Sequence, residues 1–202
     1  PLTKAKLRLE FMPESEEREH LREDIDEIDH LISDLIEAER LNGDHSVLVL
    51  EVVNFSEFIG NVAHQFDNYT GGIEFVSPDR DHEFLIDKLR IRLLITNLLN
   101  NSIRHGEGNP ILVKIDYFEE QASIEVIDQG EGITKEHLSQ ISEPFYRADS
   151  SRQRNTGGFG LGLYLCRLIA DAHGGNLKIQ SQIGKGTHIT VQIPHQPPSD
   201  DL

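Results

Sequence analysis

The sequence predicts an α+β protein in which a short helical hairpin precedes an α/β sandwich. Two observations support this fold class. Apolar residues recur at helical spacing as far as Leu41, whereas strand-like runs, helical runs and glycine turns alternate in the rest of the chain. The character changes near Leu41–Ser46, so we expect a hairpin over residues 1–43, a second domain over residues 44–195 and a tail over residues 196–202.

The composition argues against several classes of protein. A formal net charge of -16 in 202 residues disfavours nucleic-acid binding, which needs a basic surface. No apolar run approaches the roughly 20 residues that a membrane-spanning helix needs. The single cysteine, Cys166, excludes an internal disulfide and lies in the apolar run Leu163–Ile169, so we interpret it as a core residue.

Two helical segments predict the hairpin. The first runs from Leu2 to Met12, Pro13 interrupts it, and the second runs from Glu16 to Leu41 before Asn42-Gly43. Apolar residues of the second segment are spaced as in a coiled coil: Leu21, Ile25, Ile28, Ile32 and Leu35. Two short helices cannot bury this stripe alone, so we expect the hairpin to dimerise into a four-helix bundle.

The rest of the second helix is strongly acidic. Between Glu14 and Glu39 there are 12 acidic and 2 basic residues. A solvated helix face explains such a run, and a docking surface for a partner protein is the functional alternative.

Strand-like runs in the second domain predict a sheet. The expected strands are Ser46–Val53, Ile73–Val76, Glu83–Ile86, Ile111–Tyr117, Ala122–Ile127, Leu177–Ser181 and His188–Ile193. We expect the second and third to pair around Pro78-Asp79, the fourth and fifth around Glu119-Glu120, and the last two through Gly184–Gly186.

Three helices are expected to accompany these strands. They are Phe55–Tyr69, Lys88–His105 and Gly160–His173. Asn54 is a candidate N-cap of the first helix, and Gly174-Gly175 ends the last.

Polar residues in apolar surroundings mark candidate site positions. Asn97 and Asn101 lie four residues apart in the long helix, so both amides project from one face, and Arg104 follows on the same side. An amide oxygen can bind Mg²⁺, although two helix-surface amides are the ordinary explanation. Asp128 ends a strand before a glycine turn, where its carboxylate either accepts an exocyclic amine or bonds to its own backbone.

A glycine-rich loop follows the Asp128 turn. Four of the six residues from Gly157 to Gly162 are glycine, and a helix begins there. Bare backbone N–H groups at a helix N-terminus can bind phosphate. A glycine loop alone is weak support for a nucleotide site, but the preceding Asp-x-Gly-x-Gly turn makes the pair more specific.

Four ordered segments resemble the boxes of bacterial sensor histidine kinases. Asn97–His105 resembles their N box, Asp128–Ile133 their first glycine box, Glu143–Arg147 their F box and Asn155–Leu163 their second glycine box. The resemblance covers essentially the whole chain. It implies the two-layer ATP-binding sandwich shared by histidine kinases, gyrase, Hsp90 and MutL, with a mixed sheet covered by helices on one face.

The resemblance also implies roles for individual residues. Asn101 would bind Mg²⁺, Asn97 would orient the metal–phosphate end, and Asp128 would bind the adenine amine of ATP. Gly130 and Gly132 would keep the backbone close to the nucleotide. The remaining implied nucleotide contacts are Arg104, His105, Ile133, Phe145, Tyr146, Arg147, Arg154, Gly158, Phe159, Gly160, Leu161, Gly162, Leu163 and Thr187.

Within that set the resemblance distinguishes several tasks. Arg104, Arg147 and Arg154 would contact phosphate, and His105 would lie at the edge of the nucleotide. Ser142–Phe159 would be a mobile lid over ATP, packed down by Phe145. Backbone N–H groups of the second glycine box would face the phosphates.

The hairpin resembles the dimerisation and phosphoacceptor domain of the same kinases. Pro1-Leu2-Thr3 is similar to the end of their H box, so the acceptor histidine is expected just upstream of Pro1. We interpret His20, His30 and His45 as solvated. The implied parent is a homodimeric, membrane-anchored sensor whose cytoplasmic portion includes this chain, and whose partner is a response-regulator receiver domain.

Two other functions compete with this interpretation. The first is ATP hydrolysis, but hydrolytic ATPases of the same superfold place a glutamate four residues before the metal-binding asparagine, where this chain has Asn97, which disfavours hydrolysis. The second is that of a degenerate kinase acting as a docking scaffold, and the intact glycine boxes and both asparagines argue against it.

Overall fold

The computed structural model describes residues 2–43, 48–147 and 159–196. Helices α1 (Leu2–Glu10) and α2 (Glu16–Asn42) form the predicted hairpin. The side chain of Ser15 caps α2 by accepting the N–H of Arg18 at 3.1 Å. None of the described helices is long and apolar enough to cross a membrane.

The second domain alternates strands and helices in the predicted order. Its strands are β1 (Leu50–Asn54), β2 (Ile73–Val76), β3 (Glu83–Asp87), β4 (Ile111–Tyr117), β5 (Gln121–Ile127), β6 (Asn176–Gln182) and β7 (Gly186–Pro194). Its helices are α3 (Phe55–Ala63), α4 (Lys88–His105), the single turn α5 (Lys135–Leu138) and α6 (Gly162–Ala172). A 3-10 turn, His64–Phe66, follows α3, so that helix ends earlier than predicted.

The strands form two sheets. The larger has the order β2-β4-β5-β7-β6, in which β2 and β4 are parallel and the other neighbours antiparallel. The smaller pairs β1 with β3 in antiparallel orientation. The predicted β4–β5 and β6–β7 hairpins are therefore confirmed.

The predicted pairing of β2 with β3 is wrong. A parallel pair needs a crossover connection, and β3 with α4 supplies one between β2 and β4. Strand β3 instead lies against β1, where Phe84 and Ile86 are fully or almost fully buried. The ring of Phe84 packs on that of Phe55 with centroids 4.4 Å apart.

One apolar core lies between the larger sheet and helices α3, α4 and α6. Alternate residues of β4 (Ile111, Val113 and Ile115) are buried against this layer, as expected of a sheet covered on one face. Cys166 of α6 is fully buried, which confirms its interpretation as a core residue. Burial raises the pKa of its thiol far above the ordinary value, so the group stays protonated and inert.

Asn54 does not cap α3 as predicted, because its side chain makes no cap hydrogen bond. A remote carboxylate takes this role. Asp81 accepts the backbone N–H groups of Ser56 at 2.9 Å and Glu57 at 3.1 Å. The hydroxyl of Tyr117 donates to the same carboxylate at 2.5 Å, so the cap also ties α3 to the end of β4.

Helix α2 packs against α6 of the second domain, and an ion pair joins it to α4. The guanidinium of Arg90 donates to Glu37 at 2.8 Å, and both side chains are less than one-fifth exposed. Asn42 donates to the hydroxyl of Tyr164 at 2.8 Å. Ala38 and Leu41 are buried in this contact region.

The predicted coiled-coil stripe of α2 remains largely exposed. Leu21, Ile28, Ile32 and Leu35 are 39–44% exposed. The expected dimerisation of the hairpin through this stripe stays a prediction.

His173 ties the end of α6 to the start of α4. Its side chain is almost fully buried. Nδ1 donates to the carbonyl of Ile169 at 2.8 Å, and Nε2 accepts the N–H of Asp87 at 3.1 Å. Asp87 in turn caps α4 by accepting the N–H groups of Leu89 and Arg90. The imidazole must therefore be neutral for the junction to form.

Protonation of His173 should destabilise the fold at acidic pH. Burial lowers the pKa of His173 below its ordinary value, whereas a histidine in the unfolded chain titrates near pH 6.5. Between these two pKa values the unfolded chain binds more protons, so the free energy of unfolding rises with pH there. The stability contributed by His173 is full above about pH 6.5 and is lost as pH falls towards the folded pKa.

Urea unfolding of the wild type and of His173→Gln, at about pH 7.5 and about pH 5.5, checks this. The glutamine oxygen can accept the same N–H without titrating, so the variant should lose less stability on acidification. An equal loss in both proteins would contradict the assignment.

Candidate functional site

Asp128 is held by three separate parts of the chain. It follows β5 and is 7% exposed. Its Oδ1 accepts the backbone N–H groups of Gly130 at 3.0 Å and Thr187 at 3.1 Å. Its Oδ2 accepts only the hydroxyl of Ser102 on α4, at 3.3 Å, among the described residues. One oxygen is therefore saturated, while the other retains room for a further donor.

The glycines of this turn permit backbone segments to touch. A methyl group on Gly130 would overlap the carbonyl oxygen of His105 at the end of α4. One on Gly132 would overlap the carbonyl of Gln182, and one on Gly186 that of Asp128. The structure thus gives Gly130 and Gly132 a role within the protein, and their predicted closeness to a nucleotide stays a prediction.

Two amides of α4 face the start of α6. A Cβ atom on Gly162 would lie 3.1 Å from Oδ1 of Asn97 and 3.8 Å from Nδ2 of Asn101. The Nδ2 atom of Asn97 is buried and has no hydrogen-bond partner within the described ranges. An unpaired buried donor costs about 1–3 kcal/mol, so this amide is suited to an acceptor that arrives with a ligand.

Arg104 follows the two amides on α4, and the charges of Glu27 and Arg147 act on it. Partial desolvation lowers the pKa of Arg104, nearby Arg147 lowers it further, and Glu27 of α2 opposes the shift. Arg104 nevertheless remains a cation, because an arginine titrates far above neutral pH.

A backbone hydrogen bond joins the chain on the two sides of the predicted lid. The N–H of Phe145 donates to the carbonyl of Gly160 at 3.0 Å. Both residues have positive φ, 63° and 75°. The hydroxyl of Tyr146 lies 2.6 Å from Nδ1 of His137. Helix α6 begins at Gly162, two residues later than predicted, because the positive φ of Gly160 is not helical.

The side chain of Phe145 is 59% exposed among the described residues. Its predicted packing against the lid stays a prediction. Arg154 and Gly158 lie outside the described residues, as does most of the predicted lid.

The remaining predicted residues surround these groups. The N–H of Ile133 donates to the hydroxyl of Ser181 at 2.8 Å, which lies 3.0 Å from that of Thr187. Leu161 is 3% exposed, and Leu163 packs against the core. Phe159 is 38% exposed. His105 lies 3.5 Å from a carboxylate oxygen of Glu131.

Sequence reasoning missed three residues of the site. Ser102 and Ser181 support Asp128 and the neighbouring backbone, and Gly186 permits the close approach of the β6–β7 turn. A single serine within an apolar helix or a strand carries no signal of such a role. The glycine turn was recognised, but only the folded chain brings it to Asp128.

Comparison with known proteins gives a family match for more than half of the chain. The model of the histidine kinase-, DNA gyrase B- and HSP90-like ATPases matches residues 86–197. The sensor histidine kinase WalK of Bacillus subtilis is 31% identical over 177 residues, which are 85% of this chain and 29% of that protein. The sensor protein SrrB of Staphylococcus aureus is 37% identical over 109 residues, 54% of this chain and 19% of that protein. The chain thus spans less than a third of these relatives.

Solved structures of histidine kinases share the fold. Full-length ShkA, crystallised in complex with AMPPNP, has a TM-score of 0.78 and 24% identity, covering 100% of this chain and 43% of that one. The histidine kinase AdeS of Acinetobacter baumannii has a TM-score of 0.74 and 20% identity, covering 96% and 91%. The nucleotide-free catalytic domain of ThkA has a TM-score of 0.62 and 25% identity, covering 74% and 98%.

Replacing Gly130 by alanine should destabilise the second domain. The new methyl group would overlap the carbonyl of His105, and overpacking of this kind costs about 1–3 kcal/mol or more. Gly43→Ala is a matched control, because its Cβ would meet nothing closer than the Glu39 carbonyl at 3.7 Å. The control should change the free energy of unfolding by less than about 0.5 kcal/mol. Urea denaturation measures both, and equal stabilities would contradict the steric assignment.

Proposed function

We propose that this chain, which belongs to the histidine kinase-, DNA gyrase B- and HSP90-like ATPase family, forms the ATP-binding catalytic core of a sensor histidine kinase. It binds Mg-ATP between α4, the Asp128 turn and the start of α6. It directs the γ-phosphoryl group to a histidine that precedes Pro1 in the parent protein. A response-regulator receiver domain then takes the group onto an aspartate.

The carboxylate of Asp128 supports the adenine end of this proposal. Its Oδ2 accepts one long hydrogen bond, whereas its Oδ1 is saturated by two backbone N–H groups. A buried acceptor with free capacity selects a base that carries an exocyclic amine, because a carbonyl at the same position would meet an acceptor. Asp128 thus orients the base and fixes the direction in which the phosphates extend.

Phosphate binding at this site is supported above all by the Nδ2 atom of Asn97, which has no partner among the described residues. Its buried Nδ2 would donate to a phosphate oxygen at the N-terminus of α6, where the helix dipole also favours negative charge. Arg104 and Arg147 would contact the same anion. These groups position the triphosphate and offset its charge, which is most of what phosphoryl transfer requires of a protein.

The residues present fit a magnesium ion at this end. The neutral amide of Asn101 lies beside that of Asn97 at the start of α6. Its oxygen would bind Mg²⁺, which takes its other ligands from water and phosphate oxygens. Bound there, the metal would neutralise charge developing on the phosphates. Asn97, in the position where related hydrolytic ATPases carry a glutamate, offers no carboxylate to activate water.

The histidines within the described part of the chain have other surroundings. His173 is buried in the α4–α6 junction, and His188 lies 2.8 Å from Glu125 on β5. His20 and His30 lie exposed on the acidic helix α2. The resemblance of Pro1-Leu2-Thr3 to the end of the H box supports an acceptor upstream of Pro1, on the hairpin of a homodimeric parent anchored in the inner membrane with this portion in the cytoplasm.

Phosphoryl transfer from γ-labelled ATP tests this proposal. The chain, and a version extended upstream by about 20 residues of the parent, are incubated with Mg²⁺ and examined for acid-labile label on protein. Label is expected only on the extended chain, and Asn101→Ala in that chain should abolish it. Label on the shorter chain would contradict the acceptor assignment, and free phosphate without labelled protein would favour the ATPase alternative.

Asp128→Asn should weaken ATP binding about tenfold or more, because a hydrogen bond to a charged acceptor contributes roughly 1.5–3 kcal/mol. The asparagine oxygen can keep the two backbone bonds, which turns its amine towards the incoming base. Titration calorimetry with Mg-ATP measures the change. An affinity equal to that of the wild type would contradict the adenine assignment.

A further inference from the structure

Ser102 is a buried polar residue of α4, one residue after Asn101. It is 2% exposed, and its hydroxyl donates to Oδ2 of Asp128 at 3.3 Å. A helical serine usually bonds to the carbonyl four residues earlier when it is buried. Here the hydroxyl donates instead to the carboxylate of Asp128, which follows β5. Ser102 therefore contacts the candidate site.

The hydrogen bonds of Asp128 explain what this contact does. A carboxylate has about four acceptor positions. Gly130 and Thr187 fill those of Oδ1, and Ser102 fills one of Oδ2. The Ser102 hydroxyl thus fixes the plane of the carboxylate from the side opposite the backbone bonds and leaves one acceptor position on Oδ2.

We infer that Ser102 is a positioning residue for base selection, acting through Asp128. It holds Oδ2 where the exocyclic amine of the base arrives, and so strengthens discrimination in favour of a 6-amino purine. The inference rests on the proposed role of Asp128 in binding that amine. Without the hydroxyl the carboxylate could rotate, and part of the preference for the amine would be lost.

A pair of ligands separates this role from a structural one. Purine riboside triphosphate lacks the exocyclic amine of ATP but is otherwise the same size and charge. Ser102→Ala should weaken Mg-ATP binding about three- to tenfold, the range of one hydrogen bond, and leave binding of the purine analogue within about twofold. Titration calorimetry of both ligands measures the ratio.

Two further variants sharpen the test. Ser123→Ala is a matched control, because Ser123 is a serine of similar burial, 3% exposed, near the start of β5 and outside the site. It should change neither affinity. In an Asp128→Asn background, Ser102→Ala should have no further effect on ATP binding, since the two residues act as one unit. Ser102→Cys, which keeps a weak donor, should give an intermediate loss and covers the case of a poorly folded alanine variant.

The outcomes distinguish this inference from the proposed function. A wild type that binds both ligands equally would overturn the amine assignment of Asp128 and the inference with it. A wild type that prefers ATP, with Ser102→Ala weakening both ligands equally or neither, would overturn the role of Ser102 alone. Loss confined to ATP supports it.

Discussion

The carboxylate of Asp128 is the contact on which the rest of the site depends. It joins the turn after β5, the start of β7 and the last turn of α4 through hydrogen bonds to Gly130, Thr187 and Ser102. These segments approach so closely only because glycines carry no side chain at the contact points. A buried carboxylate is costly unless it is hydrogen-bonded, so the same bonds that shape the site also make the charge tolerable.

Helix α4 connects the two ends of the site. Ser102 touches Asp128, and one residue earlier Asn101 faces Gly162 together with Asn97. The rise of an α-helix sets the distance between these ends without any flexible segment. The start of the helix is held by Asp87 and His173, and its Arg90 pairs with Glu37 of α2. The hairpin and the candidate site thus share one rigid element. Among the described residues the buried Nδ2 of Asn97 has no hydrogen-bond partner, which is a local cost in stability.

The fold was largely predictable because strand alternation and helical spacing are local signals. The partners of strands are not, and this is why the β2–β3 pairing was wrong: both runs alternate correctly, but a crossover places β2 beside β4. The prediction that Asn54 caps α3 was wrong for the same reason, since the capping carboxylate of Asp81 comes from a loop distant in sequence. In the site, Asp128, Asn97 and Asn101 stand out as polar residues in apolar runs. Ser102 does not, because a lone serine in a helix is unremarkable until its partner is known.

A structure of this chain with Mg²⁺ and AMPPNP would test the central claim most directly. The exocyclic amine of the base is expected within about 3 Å of Oδ2 of Asp128, at ordinary hydrogen-bond length. A phosphate oxygen is expected at the Asn97 amide, and the metal at the oxygen of Asn101. A nucleotide whose base lies away from Asp128, or whose phosphates lie away from the start of α6, would contradict the account.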